Sequence, residues 1–321
     1  MQAIVYEKYG QPDVLELREI EKPTPNDDEV LVKIHAASLN QYDWHLMSAD
    51  IFLVRLNSGL LKPKRGRPGA DIAGVIQAVG NNITQFQVGD AVFGDIASAG
   101  GGGCAEYVCV PEKLLAHKSA NLSFEQAAAV PMAGVTALQG LRDAGKIQAG
   151  QKVLIQGAAG GVGTFAVQIA KLFGAHVTAV CSARNLEQAR ALGADETIDY
   201  AKQDFTRSGK QYDLIFAVNG YHSLADYKRA LTPNGSYIMA GGATRQIFDG
   251  MLWGKWNSKG GQTMSSFLAH SSQSDLIFLQ KQIEARKIIP VIDRCFPLRE
   301  TAEAMRYLGA GHARGKVIVT M

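Results

Sequence analysis

The 321-residue chain is poor in several things, and each shortage excludes a class of protein. Its four cysteines, Cys104, Cys109, Cys181 and Cys295, are too few for a disulfide scaffold and suit a reducing compartment. No apolar run approaches the ~18 residues of a membrane span. The opening Met-Gln-Ala-Ile-Val-Tyr reads as a strand, without the basic segment and apolar core of an export signal, so a cytoplasmic location is expected. Charge of one sign is also scarce. Lys and Arg total 33 against 30 Asp and Glu, a net +3 that speaks against nucleic acid or a membrane surface as partner. The basic stretch 60–64, with Arg65 and Arg67, is too short to alter that and reads as a solvated loop. None of the seven histidines stands in ligand spacing with another. What the chain has in excess is glycine, 34 residues, many clustered where a backbone turns tightly or a ligand approaches it.

Two patterns divide the chain. Up to Pro111 short alternating strands dominate: 29–39 (EVLVKIHAASL), 71–80, 88–94 and 105–111, separated by Gly, Pro, Asn and Asp. That spacing suggests a small β-barrel or sandwich. Ser123-Phe124-Glu125-Gln126 then has the form of a capping box, and the helix it opens should end at Pro131. A further helix is expected over 133–144, with Gly145 as its C-cap. Strands and helices alternate from there: strands 152–156, 176–181, 196–200, 212–218 and 235–240, helices 162–173 and 185–192. Apolar strands in β-α-β order predict an α/β fold, a doubly wound parallel sheet covered on both faces. The tail mixes strands near 262–267, 291–296 and 316–320 with helices near 274–286 and 300–308.

Strand 152–156 runs into Gly157-Ala158-Ala159-Gly160-Gly161-Val162-Gly163 and then straight into a helix. Small residues let the main chain turn and approach a pyrophosphate, and the helix start aims its unpaired N–H groups at it. The alternative is a glycine turn that serves only helix–strand packing. The Gly100–Gly103 run, followed by a strand rather than a helix, reads as a loop of the β-rich part.

The glycine run, continued by Gln168-Ile169-Ala170, resembles the signature of the medium-chain dehydrogenase/reductase superfamily, and more closely its zinc-independent quinone oxidoreductase-like branch. Segments 69–80 (GADIAGVIQAVG), 88–94, 105–110, 131–141 (PMAGVTALQGL) and 311–319 (GHARGKVIV) match that pattern in order. The resemblance implies a GroES-like, mainly-β catalytic domain over 1–122, completed by 266–321, and a Rossmann NADP-binding domain over 123–265. Its edge strand near 263–267 commonly forms a dimer in such proteins, so a homodimer is expected.

The second strand of the nucleotide unit ends Val180-Cys181-Ser182-Ala183-Arg184. No acid stands there to bind a ribose 2′-OH; Ser182 offers a hydroxyl and Arg184 suits a 2′-phosphate, so NADPH is expected over NADH. Ala159, Gly160, Gly161 and Val162 belong to the phosphate loop. By resemblance Thr136, Tyr200, Asn219, Gly241, Gly242, Phe267 and Lys316 also contact the cofactor; for Lys316 a surface position at a strand end is the alternative.

Zinc alcohol dehydrogenases of the superfamily use a Cys and a Gly-His-Glu segment. Here the histidine place holds Ala70, in Gly69-Ala70-Asp71, and the cysteine place falls near Asn40, so no metal is expected. Without a Lewis acid, a conjugated acceptor is the easier substrate, because hydrogen-bond donors aimed at its oxygen suffice. Asn40 and Tyr42 lie where the family places such donors and are the catalytic candidates. Trp44 and Phe52 are candidates for an apolar wall; for Tyr42 and Trp44 loop packing is the alternative, and Asp43 is a candidate helix cap. The expected function is NADPH-dependent reduction of quinones or α,β-unsaturated carbonyls. A non-catalytic NADPH-binding protein or redox sensor, and an alcohol dehydrogenase, remain as alternatives.

Overall fold

The structure is a computed structural model that describes residues 1–241 and 261–321, apart from the side chains of Phe52, Leu53 and Asn57. The chain forms two compact units. One comprises Met1–Val135, Ser271–Arg286 and Pro290–Met321; the other comprises Thr136–His270 and Lys287–Ile289.

The second unit is built on a six-stranded, wholly parallel sheet. Its spatial order is Glu196–Asp199, His176–Cys181, Lys152–Gln156, Tyr212–Ala217, Leu231–Met239, Thr263–Ser266. Counted within the unit this is 3-2-1-4-5-6, so the order reverses between Lys152–Gln156 and Tyr212–Ala217, where doubly wound sheets bind their ligands. The strands read as continuous apolar runs because both faces are buried: Val153, Leu154, Ile155, Leu214, Ile215 and Phe216 are all inaccessible. The intervening helix Gly161–Leu172 buries Phe165, Val167 and Ile169. Gln168, part of the glycine-run signature, does structural work: its amide donates to the Ile289 carbonyl at 3.0 Å and accepts from the Ile289 N–H at 2.8 Å.

The first unit carries a mainly antiparallel seven-stranded sheet. Along it run Ile292–Pro297, Lys316–Thr320, Glu29–Leu39, Asp71–Val79, Ala91–Asp95 and Leu115–His117, and Tyr107–Pro111 also pairs with Glu29–Leu39. Val30, Val32, Ile34, Ile72, Ile76 and Val92 make a dry core. The register matters most here. Ile318 stands opposite Ser38, Ser38 opposite Asp71, and Asp71 opposite Asp95. Cross-strand partners share a face, so polar residues far apart in sequence form one row.

Some local details sharpen the expectations. The Ser123 helix, Phe124–Ala128, stops before Pro131 as expected, and Pro131 itself opens helix Pro131–Gln139, because its missing N–H costs nothing in a first turn. The following turn, Gly140–Ala144, is a π-helix; Gly145 is its C-cap as expected, with right-handed angles, and Lys146 after it takes the left-handed turn (φ 49°). Residues 41–48 and 52–58, to which the sequence reading assigns no element, are helices Gln41–Ser48 and Phe52–Ser58. The Ser123 capping box forms in full: its hydroxyl accepts from Gln126 N–H at 3.2 Å and Gln126 Oε1 accepts from Ser123 N–H at 3.0 Å.

Candidate active site

In the parallel-sheet unit, the glycine loop lies over the end of strand His176–Cys181. The N–H groups of Gly157 and Ala158 both donate to the Val180 carbonyl at 3.1 Å. Gly157 has φ +82°, and a Cβ there would come within 2.8 Å of the Asn219 nitrogen, so loop and Asn219 are neighbours. Gly163 approaches closer still: its Cβ would sit 2.1 Å from the Gly157 carbonyl. Gly160 differs. It is the N-cap of helix Gly161–Leu172, and among the described residues no side chain caps it and a Cβ built on it meets nothing nearer than 3.7 Å. The helix start therefore presents free space and N–H donors, which suits a pyrophosphate.

Ser182 and Asn185 sit beside this loop, hydrogen bonded to each other at 3.1 Å, while Asn185 Oδ1 is buried with no partner among the described residues. Arg184 is exposed, as is Tyr200, whose N–H donates to the Cys181 carbonyl at 3.2 Å. Gly241 packs against the Val218 carbonyl. The structure thus gathers Gly157–Gly163, Ser182, Tyr200, Asn219 and Gly241 at the carboxyl edge of one sheet, and the residues present fit a dinucleotide. Phe267 lies 6.5 Å from the Phe216 ring with Gly140 between them, a packing contact. Thr136 lies in helix Pro131–Gln139, and Gly242 lies outside the described residues.

In the other unit the register row becomes a buried polar cluster. Asp71 is inaccessible and accepts four hydrogen bonds. Oδ2 takes the Ser38 hydroxyl (2.8 Å), Asn40 Nδ2 (3.0 Å) and Lys316 Nζ (3.3 Å); Oδ1 takes the Met132 N–H (2.9 Å) in the first turn of its helix. Lys316 is 2% exposed, so the surface alternative is excluded; its ammonium also donates to Asn40 Oδ1. Lysine has only donors, which fixes the Asn40 amide with its oxygen toward Lys316 and its nitrogen toward Asp71. Asn40 is the N-cap of helix Gln41–Ser48, and Asp43, at N3, returns the cap: Oδ2 accepts from Asn40 N–H and Oδ1 from Gly69 N–H, both at 2.8 Å. Asp43 is therefore the cap residue expected of it, and it ties this turn to the one before strand Asp71–Val79.

Burial pushes the Asp43 carboxyl up to about 7 against the pull of those two N–H groups. Asp95 is raised to about 6, first by burial and then by Asp71 facing it, although Ala97 N–H and the Ser271 hydroxyl (both 2.9 Å) hold it down. Tyr42 follows Asn40 by two residues and is 38% exposed; burial, then Asp43 and Asp95, raise its phenol, so it is a neutral donor at physiological pH. Trp44 packs into the core beside Met305 and Leu308, and its ring fills the space a Gly309 side chain would need. Phe52 begins helix Phe52–Ser58. Ala70 is buried and carries no donor atom. Among the described residues, no group of three His, Cys, Asp or Glu side chains is placed to hold a metal ion, and no helix is long and apolar enough to cross a membrane.

Sequence reading missed Ser38, Asp71 and Asp95 as members of the site. Only the strand pairing joins them; no local motif does.

Comparison with known proteins agrees with both halves. Residues 26–120 match the alcohol dehydrogenase GroES-like domain and residues 192–319 the zinc-binding dehydrogenase domain. The chain is 34% identical to a chloroplast envelope quinone oxidoreductase homolog of Arabidopsis thaliana, over 99% of this chain and 98% of the relative. It is 35% identical to an NADPH-dependent alkenal/one oxidoreductase of the same plant, over 99% of this chain and 79% of the relative. Among solved structures, the quinone oxidoreductase from Coxiella burnetii superposes with a TM-score of 0.88 at 30% identity, over 100% and 99% of the two chains.

Proposed function

This chain belongs to the medium-chain dehydrogenase/reductase superfamily, in its quinone oxidoreductase and alkenal/one reductase branch, and on that premise we propose that it reduces quinones or α,β-unsaturated carbonyls with NADPH, without a metal. The observation that carries the reading is the uncapped start of helix Gly161–Leu172 beside a strand end bearing Ser182 and Arg184 in place of an acid. The helix N–H groups hold the pyrophosphate there, Ser182 and Arg184 the 2′-phosphate, and Tyr200, Asn219 and Gly241 the rest of the nucleotide. When bound, the reduced nicotinamide supplies a hydride.

The protein's task is to receive the charge that builds on the acceptor oxygen. Tyr42, half-buried and neutral, is a hydrogen-bond donor for it. Asn40 holds the cluster in register, its amide engaged by Lys316 and Asp71. The metal-free part rests on Ala70 and Asn40, which replace the histidine and cysteine ligands of zinc relatives and offer neither imidazole nor thiolate. Four free cysteines support a cytoplasmic location, and the exposed edge of strand Thr263–Ser266 supports a homodimer.

The test follows NADPH and NADH absorbance with a naphthoquinone, an enone, an enal and a saturated ketone, and NADP with a primary alcohol, each with and without EDTA. The reading expects conjugated acceptors to turn over with NADPH and EDTA to change nothing. Alcohol oxidation abolished by EDTA would return the metal. No turnover, with NADPH still raising the melting temperature, would leave a cofactor-binding protein. A monomeric mass in solution would remove the dimer.

A further inference from the structure

Lys316 has one donor more than its surroundings use. Its ammonium carries three hydrogens. One goes to Asn40 Oδ1 and one to Asp71 Oδ2, and among the described residues the third meets no acceptor. The side chain is 2% exposed, so bulk water does not satisfy that hydrogen either. A buried donor left open is costly unless something arrives to accept from it. The supports around it are rigid. Lys316 opens a strand paired on both sides, and its own N–H donates to the Val291 carbonyl at 2.9 Å. Asp71 is held by the Ser38 hydroxyl and by a helix-start N–H.

We propose that Lys316 is a catalytic residue whose third ammonium hydrogen is donated to the carbonyl oxygen of the conjugated acceptor, with Asp71 and Asn40 as the residues that position it. The proposal rests on the reductase reading above and assigns the oxygen-stabilising role within it. Asn40, the donor expected from the sequence, has its Nδ2 engaged by Asp71 at 3.0 Å and, more loosely, by the Ser38 carbonyl at 3.5 Å; it aligns the ammonium instead. The chemistry asked of Lys316 is electrostatic. As hydride adds to the β-carbon or quinone ring, the electron pair moves onto the acceptor oxygen, and a charged donor already in place there needs no reorganisation. The proton that completes the product comes from solvent or Tyr42, and Lys316 keeps its own.

Removing Lys316 alone would strand a buried carboxylate, so the main variant is the neutral pair Lys316→Met with Asp71→Asn. Two readouts are taken. The first is kcat/KM across ring-substituted aryl enones from electron-poor to electron-rich. The expected loss is on the order of 10²–10³-fold for electron-rich members, shrinking toward electron-poor ones, because a missing oxygen donor matters most where the acceptor stabilises charge least. The second uses the protein without nucleotide: 4-nitrophenol, whose visible absorbance reports ionisation, is expected to bind to the natural chain as phenolate at a lower pH than free, and to lose that shift in the variant. Lys316→Arg should retain both in part.

A loss of equal size for every enone, or an unchanged nitrophenol titration, would make Lys316 a framework residue and overturn the proposal. If the double variant does not fold, Lys316→Arg and Asn40→Ala decide: an unaltered substituent dependence in both overturns it. Failure of the natural chain to reduce any enone would instead strike the reductase reading, and the nitrophenol titration would still report on Lys316.

Discussion

The two units treat their polar groups in opposite ways. At the carboxyl edge of the parallel sheet, the helix after the glycine loop begins, among the described residues, with no side-chain cap on its N–H groups and with open space at Gly160. In the antiparallel unit, Ser38, Asn40, Asp43 and Asp71 answer one another, Asp95 is held by Ala97 and Ser271, and among the described residues a single hydrogen on Lys316 is left over. Open donors make a place that binds, and closed ones make a frame. The difference teaches where substitutions should cost stability and where they should cost only ligand. The largest effect belongs to the frame. Asp71→Ala leaves the Lys316 ammonium buried without its carboxylate and strips acceptors from Ser38, Asn40 and Met132; we expect a loss of about 3–5 kcal/mol in urea unfolding. A loss under about 1 kcal/mol would mean that water reaches the cluster and that it is no closed frame.

Within the glycine loop the same contrast runs between neighbours. A methyl on Gly163 would press on the Gly157 carbonyl at 2.1 Å, which is backbone and cannot turn aside, whereas a methyl on Gly160 meets nothing closer than 3.7 Å among the described residues. Gly163→Ala should therefore lose roughly 1–3 kcal/mol of stability, as overpacking does. Gly160→Ala should leave stability within about 0.5 kcal/mol and weaken NADPH binding measured by calorimetry, because its methyl enters the space left for phosphate. If both variants keep the same affinity, the loop is a packing turn and not a cradle.

That contrast also explains what the sequence could disclose. The nucleotide half was readable because its signal is local. Strand, glycines and helix follow one another in some twenty residues, and the missing acid after Cys181 is visible in the same stretch. The cluster was readable only at its ends. Asn40 and Tyr42 came from a resemblance, while Ser38 looked like any strand serine and Asp71 like a substituted ligand. Lys316 meets Asp71 across 245 residues, through two strand pairings whose register no local pattern sets. Helix Gln41–Ser48 escaped for a different reason. Its sequence, QYDWHLMS, has no apolar stripe, and it is held by the Asp43 cap and by Trp44 against Gly309, both tertiary facts. At Pro131 the break between two helices was legible and the start of the second was not, because a proline ends one helix and begins the next with equal ease.

The frame should also betray itself in the pH dependence of stability. Asp43 and Asp95 have folded values of about 7 and about 6 against a reference of 3.8. Between about pH 4 and pH 7 the folded state thus holds protons that the unfolded chain has released. With more protons bound in the native state, stability falls as pH rises through that window. Each group contributes at most about 1.4 kcal/mol per pH unit. Asp95→Asn should flatten the slope between pH 4 and pH 6 and leave the remainder, up to pH 7, to Asp43. Chemical denaturation at pH 4.5, 5.5, 6.5 and 7.5 checks this. A natural chain whose stability rises over that range would show that Asp43 and Asp95 ionise freely, with solvent among them.

The smallest expected effect lies at the open edge, and it asks whether that edge distinguishes two nucleotides that differ by one phosphate. Arg184 is exposed in the turn Ala183–Asn185, near a helix start where a cation gains nothing from the backbone dipole. Its guanidinium is matched to a phosphate in charge and in fork geometry, and nothing in NADH asks for it. Arg184→Ala should therefore weaken NADPH by about tenfold, some 1.4 kcal/mol, and leave NADH within a factor of about two. Because the pair forms at the surface, the NADPH preference of the natural chain should shrink as salt rises from 50 to 500 mM, and the variant's preference should not. Equal losses for both nucleotides would place Arg184 on the shared part of the cofactor. Ser182 and Asn185, hydrogen bonded behind it with an acceptor that meets no donor among the described residues, would then be the residues that choose between the two.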